Sequence, residues 1–170
     1  MLFILALVCI YRLFEAVKVL ILITAFTVGH SLTLFLATTR LVTVNEDWIE
    51  FLIPITILIT AVLNIIRGKD AARSGMFWPY LFAAVFGLIH GLGFSNYLRM
   101  LLSEQGELFI PLLAFNIGIE VGQVAIVVGI FILYELVQRA FRFRHRDWIL
   151  TVSGAVAGIS LILIKEAVFW

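Results

Sequence analysis

The chain alternates between long apolar stretches and short polar connections, a pattern typical of helices that cross a lipid bilayer. A spanning helix needs about 20 mostly apolar residues to cross a hydrocarbon core about 30 Å thick. The stretches that meet this requirement are residues 19–39, 49–66, 76–95, 109–135 and 149–164. No linker rich in Ser, Gly or Pro separates these stretches, so we expect residues 1–170 to form a single domain.

A further apolar stretch at the N-terminus, from Leu2 to Tyr11, is too short to span the bilayer. As a helix it rises about 1.5 Å per residue and covers about half of the hydrocarbon core. It has neither the basic segment nor the cleavage site of a signal peptide. The sequence therefore predicts an all-α, polytopic transmembrane helix bundle, with five full spanning helices plus a half-length N-terminal helix over residues 1–11.

The composition supports this class of protein and excludes others. Hydrophobic residues make up 63% of the chain and charged residues 14%, whereas soluble domains have about 45–50% and about 25%. The formal net charge of +1 offers no basic surface for a nucleic-acid partner. With Cys9 as its one cysteine, the chain can form neither an intramolecular disulfide nor a CxxC site.

The basic residues of the connections predict the orientation in the membrane. If every predicted helix crosses, the connections 12–18, 67–75 and 138–148 lie on one side and carry nine of the 12 Lys and Arg residues. The positive-inside rule places these connections in the cytoplasm. We therefore expect a multi-pass protein of the bacterial inner membrane. His145 belongs to the basic run and is expected to be solvated at the membrane surface.

Three ionisable residues fall inside predicted spanning helices, namely His30, His90 and Glu120. Such residues cost at least about 2.5 kcal/mol at the bilayer centre, so they usually face the bundle interior with a partner. Counted from the helix ends, all three lie between the outer leaflet and the midplane. We therefore predict that they converge on one site for a divalent cation such as nickel, cobalt or zinc, which imidazole and carboxylate groups can bind.

Further polar residues accompany the three predicted ligands at helical spacing. Asn116 and Gln123 share a face with Glu120, and Asn64 ends a weaker stripe on another helix. The residues expected to orient the ligands or line the path are Ser31, Asn64, Ser95, Asn116 and Gln123.

Two glycine pairs lie close to these polar residues. Gly87 and Gly91 beside His90 form a small-xxx-small motif, which predicts close helix contact and a break in the helix. Gly118 and Gly122 predict a second face for close packing against another helix.

The segments TAFTVGHSLTL, FGLIHGLGFS and FNIGIEVGQ, which carry His30, His90 and Glu120, resemble the signature segments of the HupE/UreJ family of bacterial membrane proteins. The resemblance covers the whole chain and implies a metal-related membrane protein, since members are described as nickel or cobalt permeases or as accessory proteins of hydrogenase and urease. Family members carry a Gly-x-Asp-His motif before a segment like MLFILAL, which here begins at Met1. The resemblance therefore also implies that the complete protein starts upstream.

The sequence leaves three functions open. The first is binding and transport of a divalent transition-metal cation, without enzymatic chemistry. The second is an intramembrane metal-dependent hydrolase in which Ser31 or Ser95 assists, although the chain has no HExxH motif. The third is a non-catalytic subunit that stabilises a homo-oligomer or a larger membrane complex through its small-residue motifs.

Overall fold

The computed structural model describes the backbone of residues 1–68, 77–102 and 109–168, and their side chains other than 96, 97, 99–102 and 109. The α-helices of these ranges are α1 (Leu2–Val8), α2 (Ala16–Thr38), α3 (Glu46–Arg67), α4 (Phe77–Leu102), α5 (Phe109–Phe141) and α6 (His145–Glu166). Each of the helices α2 to α6 contains a segment long and apolar enough to cross a membrane, whereas α1 is short. The predicted all-α bundle with a short first helix is confirmed.

Local sequence determines where these helices begin and end. Asn45 caps α3, because its side-chain oxygen accepts a hydrogen bond of 2.9 Å from the Asp47 backbone N–H. Helix α5 continues past the predicted end at residue 135 to Phe141, so only residues 142–144 connect it to α6. The ion pair of 3.7 Å between Arg139 and Glu135, four residues apart, is of the kind that stabilises a helix surface.

The bundle has two chemically different ends. We call the end that carries the 39–45 connection and Glu46 the acidic end. The end that carries residues 9–15 and the 142–144 connection is the basic end. Helix α1 starts in the middle of the bundle and runs towards the basic end, where Ile10 lies beside His145.

Helices α2 and α4 form the most extensive contact of the bundle, and glycines bring their backbones together. A Cβ atom built on Gly87 would collide with the backbone carbonyl of Phe26, and one built on Gly91 with that of His30. Gly29 meets the backbone of α4 in the same way. The close helix contact predicted from the 87/91 motif is therefore present.

Two expectations drawn from glycine were wrong. Helix α4 does not break beside His90 but continues from Phe77 to Leu102, because its glycines admit a neighbouring backbone while the helix stays intact. Gly118 and Gly122 do not pack against another helix. No described atom lies within 4 Å of a Cβ built on either residue, and both line a cavity.

His145 corrects a third expectation, since it is not solvated. The side chain is 6% exposed, its Nε2 lies 3.1 Å from the Ile10 carbonyl oxygen, and its ring packs edge-on against Tyr134. As the first residue of α6, it turns inwards beneath the end of α1 while Arg144 and Arg146 beside it stay exposed. The basic run of residues 139–146 therefore contains one residue, His145, that is buried in the core.

Polar contacts within the core hold α1 in place. The Asn64 side chain of α3 donates a hydrogen bond of 2.6 Å to the Ala6 carbonyl and lies 3.6 Å from the Cys9 sulfur. The Cys9 sulfur lies 3.5 Å from the Ser153 hydroxyl of α6. The short helix is thus tied to two long helices by side chains that are themselves buried.

Replacing Asn64 by leucine should loosen α1 without removing side-chain volume. Hydrogen bonds between membrane helices contribute about 0.6–1.7 kcal/mol, so we expect N-ethylmaleimide to label Cys9 roughly three- to twentyfold faster. Cys9 is 1% exposed and is the single thiol of the chain, which makes it a specific reporter. Thr60→Val is the control, because the Thr60 hydroxyl bonds within its own helix. Unchanged labelling in Asn64→Leu would contradict the role given to this contact.

Candidate intramembrane histidine site

A cavity of about 770 Å³ is bordered by all six helices and is partly open to the outside, where Gly118 and Phe94 are exposed. Most of its lining is apolar and includes the rings of Phe3, Phe26, Phe94 and Phe115. The polar side chains at its wall are His30, His90 and Gln123. The first turn of α1, residues 1–4, borders the cavity on the side of the basic end.

His30 is the most unusual polar group of this cavity. Its side chain is 4% exposed, and neither ring nitrogen has a hydrogen-bond partner among the described residues. The imidazole stacks on Phe26 with 5.9 Å between ring centroids and lies 6.4 Å from Phe94. A buried polar group without a partner costs about 1–3 kcal/mol. The ring nitrogen that carries no proton therefore keeps a lone pair that no described residue uses.

His90 faces the same cavity from α4 and has one polar partner. Its Nε2 lies 3.3 Å from the Thr56 hydroxyl oxygen of α3, and that hydroxyl also donates a bond of 2.7 Å to the Ile53 carbonyl. Because the Thr56 proton is directed to Ile53, its oxygen is left to accept a proton from His90 Nε2. This arrangement favours the tautomer whose Nδ1 keeps a lone pair for a cation.

Aromatic rings hold the two histidines in a common environment. Phe26 packs against both imidazoles, edge-on against His90 at 5.4 Å between centroids and stacked on His30. Phe3 of α1 lies 5.2 Å from the His90 ring and 5.0 Å from Phe26. These contacts fix the positions of the rings.

Gln123 and Glu120, one turn apart on α5, lie in different places. The Gln123 amide oxygen accepts a hydrogen bond of 3.0 Å from Thr27, and its side chain lines the cavity. The Glu120 carboxylate accepts one of 2.9 Å from Thr24, an exposed residue, and does not border the cavity. The structure thus brings His30, His90 and Gln123 together and places Glu120 beside them, on the outer side of the α2–α5 contact.

The other predicted supporting residues lie outside the cavity lining. Asn116 donates to the Leu112 carbonyl of its own helix, and Ser95 donates to Leu92. Asn64 holds α1, as described above, and Ser31 is half-buried on α2. No group of three His, Cys, Asp or Glu side chains with metal-ligand geometry occurs in the described part of the chain.

Two kinds of residue at this site were not predicted from the sequence. Thr56 belongs to a polar stripe that the sequence shows, but its contact with His90 depends on how α3 and α4 are rotated towards each other. The phenylalanines were indistinguishable from ordinary apolar residues of spanning helices. Their proximity to histidine follows only from the packed bundle.

Long apolar helices around a cavity with two histidines define a polytopic helical membrane protein that carries polar side chains among apolar ones. The family model described as HupE / UreJ protein matches residues 1–169, and the chain therefore belongs to the HupE/UreJ family. This confirms the resemblance seen in the three histidine- and glutamate-bearing segments. Neither the curated proteins nor the solved structures give a match to the chain.

Proposed function

We propose that this protein binds a divalent transition-metal cation between His30 and His90 and carries it across the bacterial inner membrane. The observation that carries the proposal is the buried His30 ring, whose nitrogens have no partner among the described residues, at the wall of a cavity that His90 also borders. Imidazole nitrogen is a preferred ligand of nickel, cobalt and zinc ions. The orientation follows from the basic connections, which the positive-inside rule assigns to the cytoplasm.

A site of this composition suits a cation in transit. Two neutral imidazoles provide ligands, while Gln123 and water can complete the coordination shell. A pore or carrier site must attract an ion strongly enough to admit it and weakly enough to release it. Two histidines without a carboxylate at the cavity wall meet this requirement better than a closed set of four charged ligands.

Metal titration of detergent-purified protein tests the proposal directly. We expect one Ni²⁺, Co²⁺ or Zn²⁺ ion per chain by calorimetry and elemental analysis. His90→Ala should weaken this binding at least tenfold, because it removes one of two imidazole ligands. His145→Gln is the matched control, since it alters the remaining histidine of the chain at the basic end and keeps a donor for the Ile10 carbonyl. Failure of all three ions to bind, or unchanged binding in His90→Ala, would contradict the proposal.

This geometry supports an intramembrane metal-dependent hydrolase less well than it supports metal transport. Neither Ser31 nor Ser95 borders the cavity, so a hydrolytic reaction there would rely on a metal-activated water alone. A permanently held ion would mark such an enzyme, whereas transported cargo should exchange with an external chelator.

A further inference from the structure

A second, smaller pocket of about 80 Å³ lies at the acidic end of the bundle. The residues at its wall include Glu46 and Glu50 of α3, both exposed, and Ser95 of α4. Gly93 lines both this pocket and the histidine cavity. The two spaces therefore meet at one residue.

The face of α3 that borders these spaces changes character along its length. Glu46, Ile49, Glu50, Ile53 and Ile57 recur at three- and four-residue intervals and so share one helix face. Glu46, Ile49 and Glu50 line the small pocket, whereas Ile53 and Ile57 line the cavity. This face thus leads from acidic groups through isoleucines towards the histidines.

Helix α4 provides the opposite wall of the same route. Gly93 and His90 are three residues apart, on one face and about 4.5 Å apart along the helix axis. A carboxylate-lined pocket, a glycine and a histidine therefore follow one another from the acidic end inwards.

The space beside Gly93 is narrow. A Cβ atom built there would lie 2.7 Å from Ile53 Cδ1 and 3.2 Å from Ile49 Cγ2. Unlike at Gly87 and Gly91, a Cβ built on Gly93 meets no backbone atom of α2 within 4 Å. The missing side chain instead leaves a gap narrower than a methyl group, closed by the Ile53 Cδ1 methyl, which can rotate, and by the Ile49 Cγ2 methyl, which the helical rotamer of Ile49 holds in place.

We propose that this gap is the route by which a divalent cation passes from the carboxylates of Glu46 and Glu50 to His90 and His30. Naming the cation rests on the function proposed above, whereas the route itself rests on the two adjoining spaces. The route leads towards the buried His30 ring, whose nitrogens have no hydrogen-bond partner in the described part of the chain. Gly93 acts as a residue that determines access, and Ile49 and Ile53 form an apolar constriction that opens when the Ile53 Cδ1 methyl rotates away from Gly93.

The first test separates the rate of binding from its strength, with Co²⁺ as the probe and its visible absorption as the readout. Gly93→Ala should slow Co²⁺ association at least tenfold and leave the Kd within about twofold, because narrowing the route slows binding and release alike. Adding Ile53→Val to Gly93→Ala removes the opposing methyl group and should restore the rate. Gly154→Ala is the control, since no described atom lies within 4 Å of a Cβ built on Gly154. An unchanged association rate in Gly93→Ala would overturn the route.

The second test does not depend on metal. A cysteine introduced as Ile57→Cys in a Cys9→Ser background reports from the cavity wall, and a small cationic methanethiosulfonate reagent is added from the acidic side of proteoliposomes. Gly93→Ala should slow labelling at least fivefold, and Ile53→Ala should accelerate it. If Co²⁺ does not bind but labelling changes in these directions, the transport proposal fails and the route stands. If labelling is the same in both variants, the route is overturned even where Co²⁺ binds.

Discussion

Gly87→Ala is expected to prevent α2 and α4 from packing and to leave little folded protein. The new Cβ would collide with the Phe26 carbonyl and approach the His30 backbone nitrogen, neither of which can turn away as a side chain can. Overpacking commonly costs about 1–3 kcal/mol, and we expect about 3 kcal/mol or more here because the obstacle is backbone. Gel filtration and thermal unfolding in detergent would show aggregated or strongly destabilised protein.

Gly154→Ala provides the matched comparison for that result. It makes the same chemical change on an exposed position of α6, where a Cβ meets no described atom within 4 Å. Removing a glycine from a helix interior stabilises it by about 0.5–1 kcal/mol. This variant should therefore unfold at or above the temperature of the unaltered protein. Equal behaviour of the two variants would contradict the close backbone contact of α2 and α4.

His30→Leu is expected to abolish cation binding and, at the same time, to stabilise the bundle. The substitution removes an imidazole whose two nitrogens lack partners among the described residues and puts an apolar side chain of similar size against Phe26. Relief of an unsatisfied buried polar group contributes about 1–3 kcal/mol. Metal affinity should fall at least a hundredfold, while the unfolding temperature in detergent rises.

The comparison with His90→Leu makes this prediction specific. His90 has a hydrogen-bond partner in Thr56, so its replacement also leaves that hydroxyl with one contact fewer. We expect His90→Leu to lose binding with little change in the unfolding temperature. A lower unfolding temperature for His30→Leu would indicate that the His30 ring holds the bundle together, and the site would then have to be assigned a structural role.

The spanning helices could be predicted from the sequence because bilayer thickness sets a minimum length for an apolar helix. The contacts and burial of individual polar side chains could not be predicted in this way. Glu120 and Gln123 are neighbours on one stripe of α5, yet one meets exposed Thr24 and the other meets buried Thr27 at the cavity. That difference depends on the rotation of α5 about its axis, which spacing within one helix does not determine.

The two glycine pairs show the same limit. The pairs 87/91 and 118/122 have identical spacing, but the first admits a neighbouring backbone and the second borders open space. A small residue permits close approach without requiring it. His145 shows a related limit. Its charged neighbours in the sequence predict a solvated residue, whereas its side chain is buried beside Ile10.

The position of α1 has a consequence for movement through the protein. Its first turn borders the cavity, and Ala6, Val8 and Cys9 continue as fully buried packing towards the basic end. Under the proposed transport function, a cation at His30 and His90 would meet this tightly packed segment on its way to the basic end. Release at that end would then require α1 to move, and the Asn64–Ala6 hydrogen bond is one contact that such a movement would break.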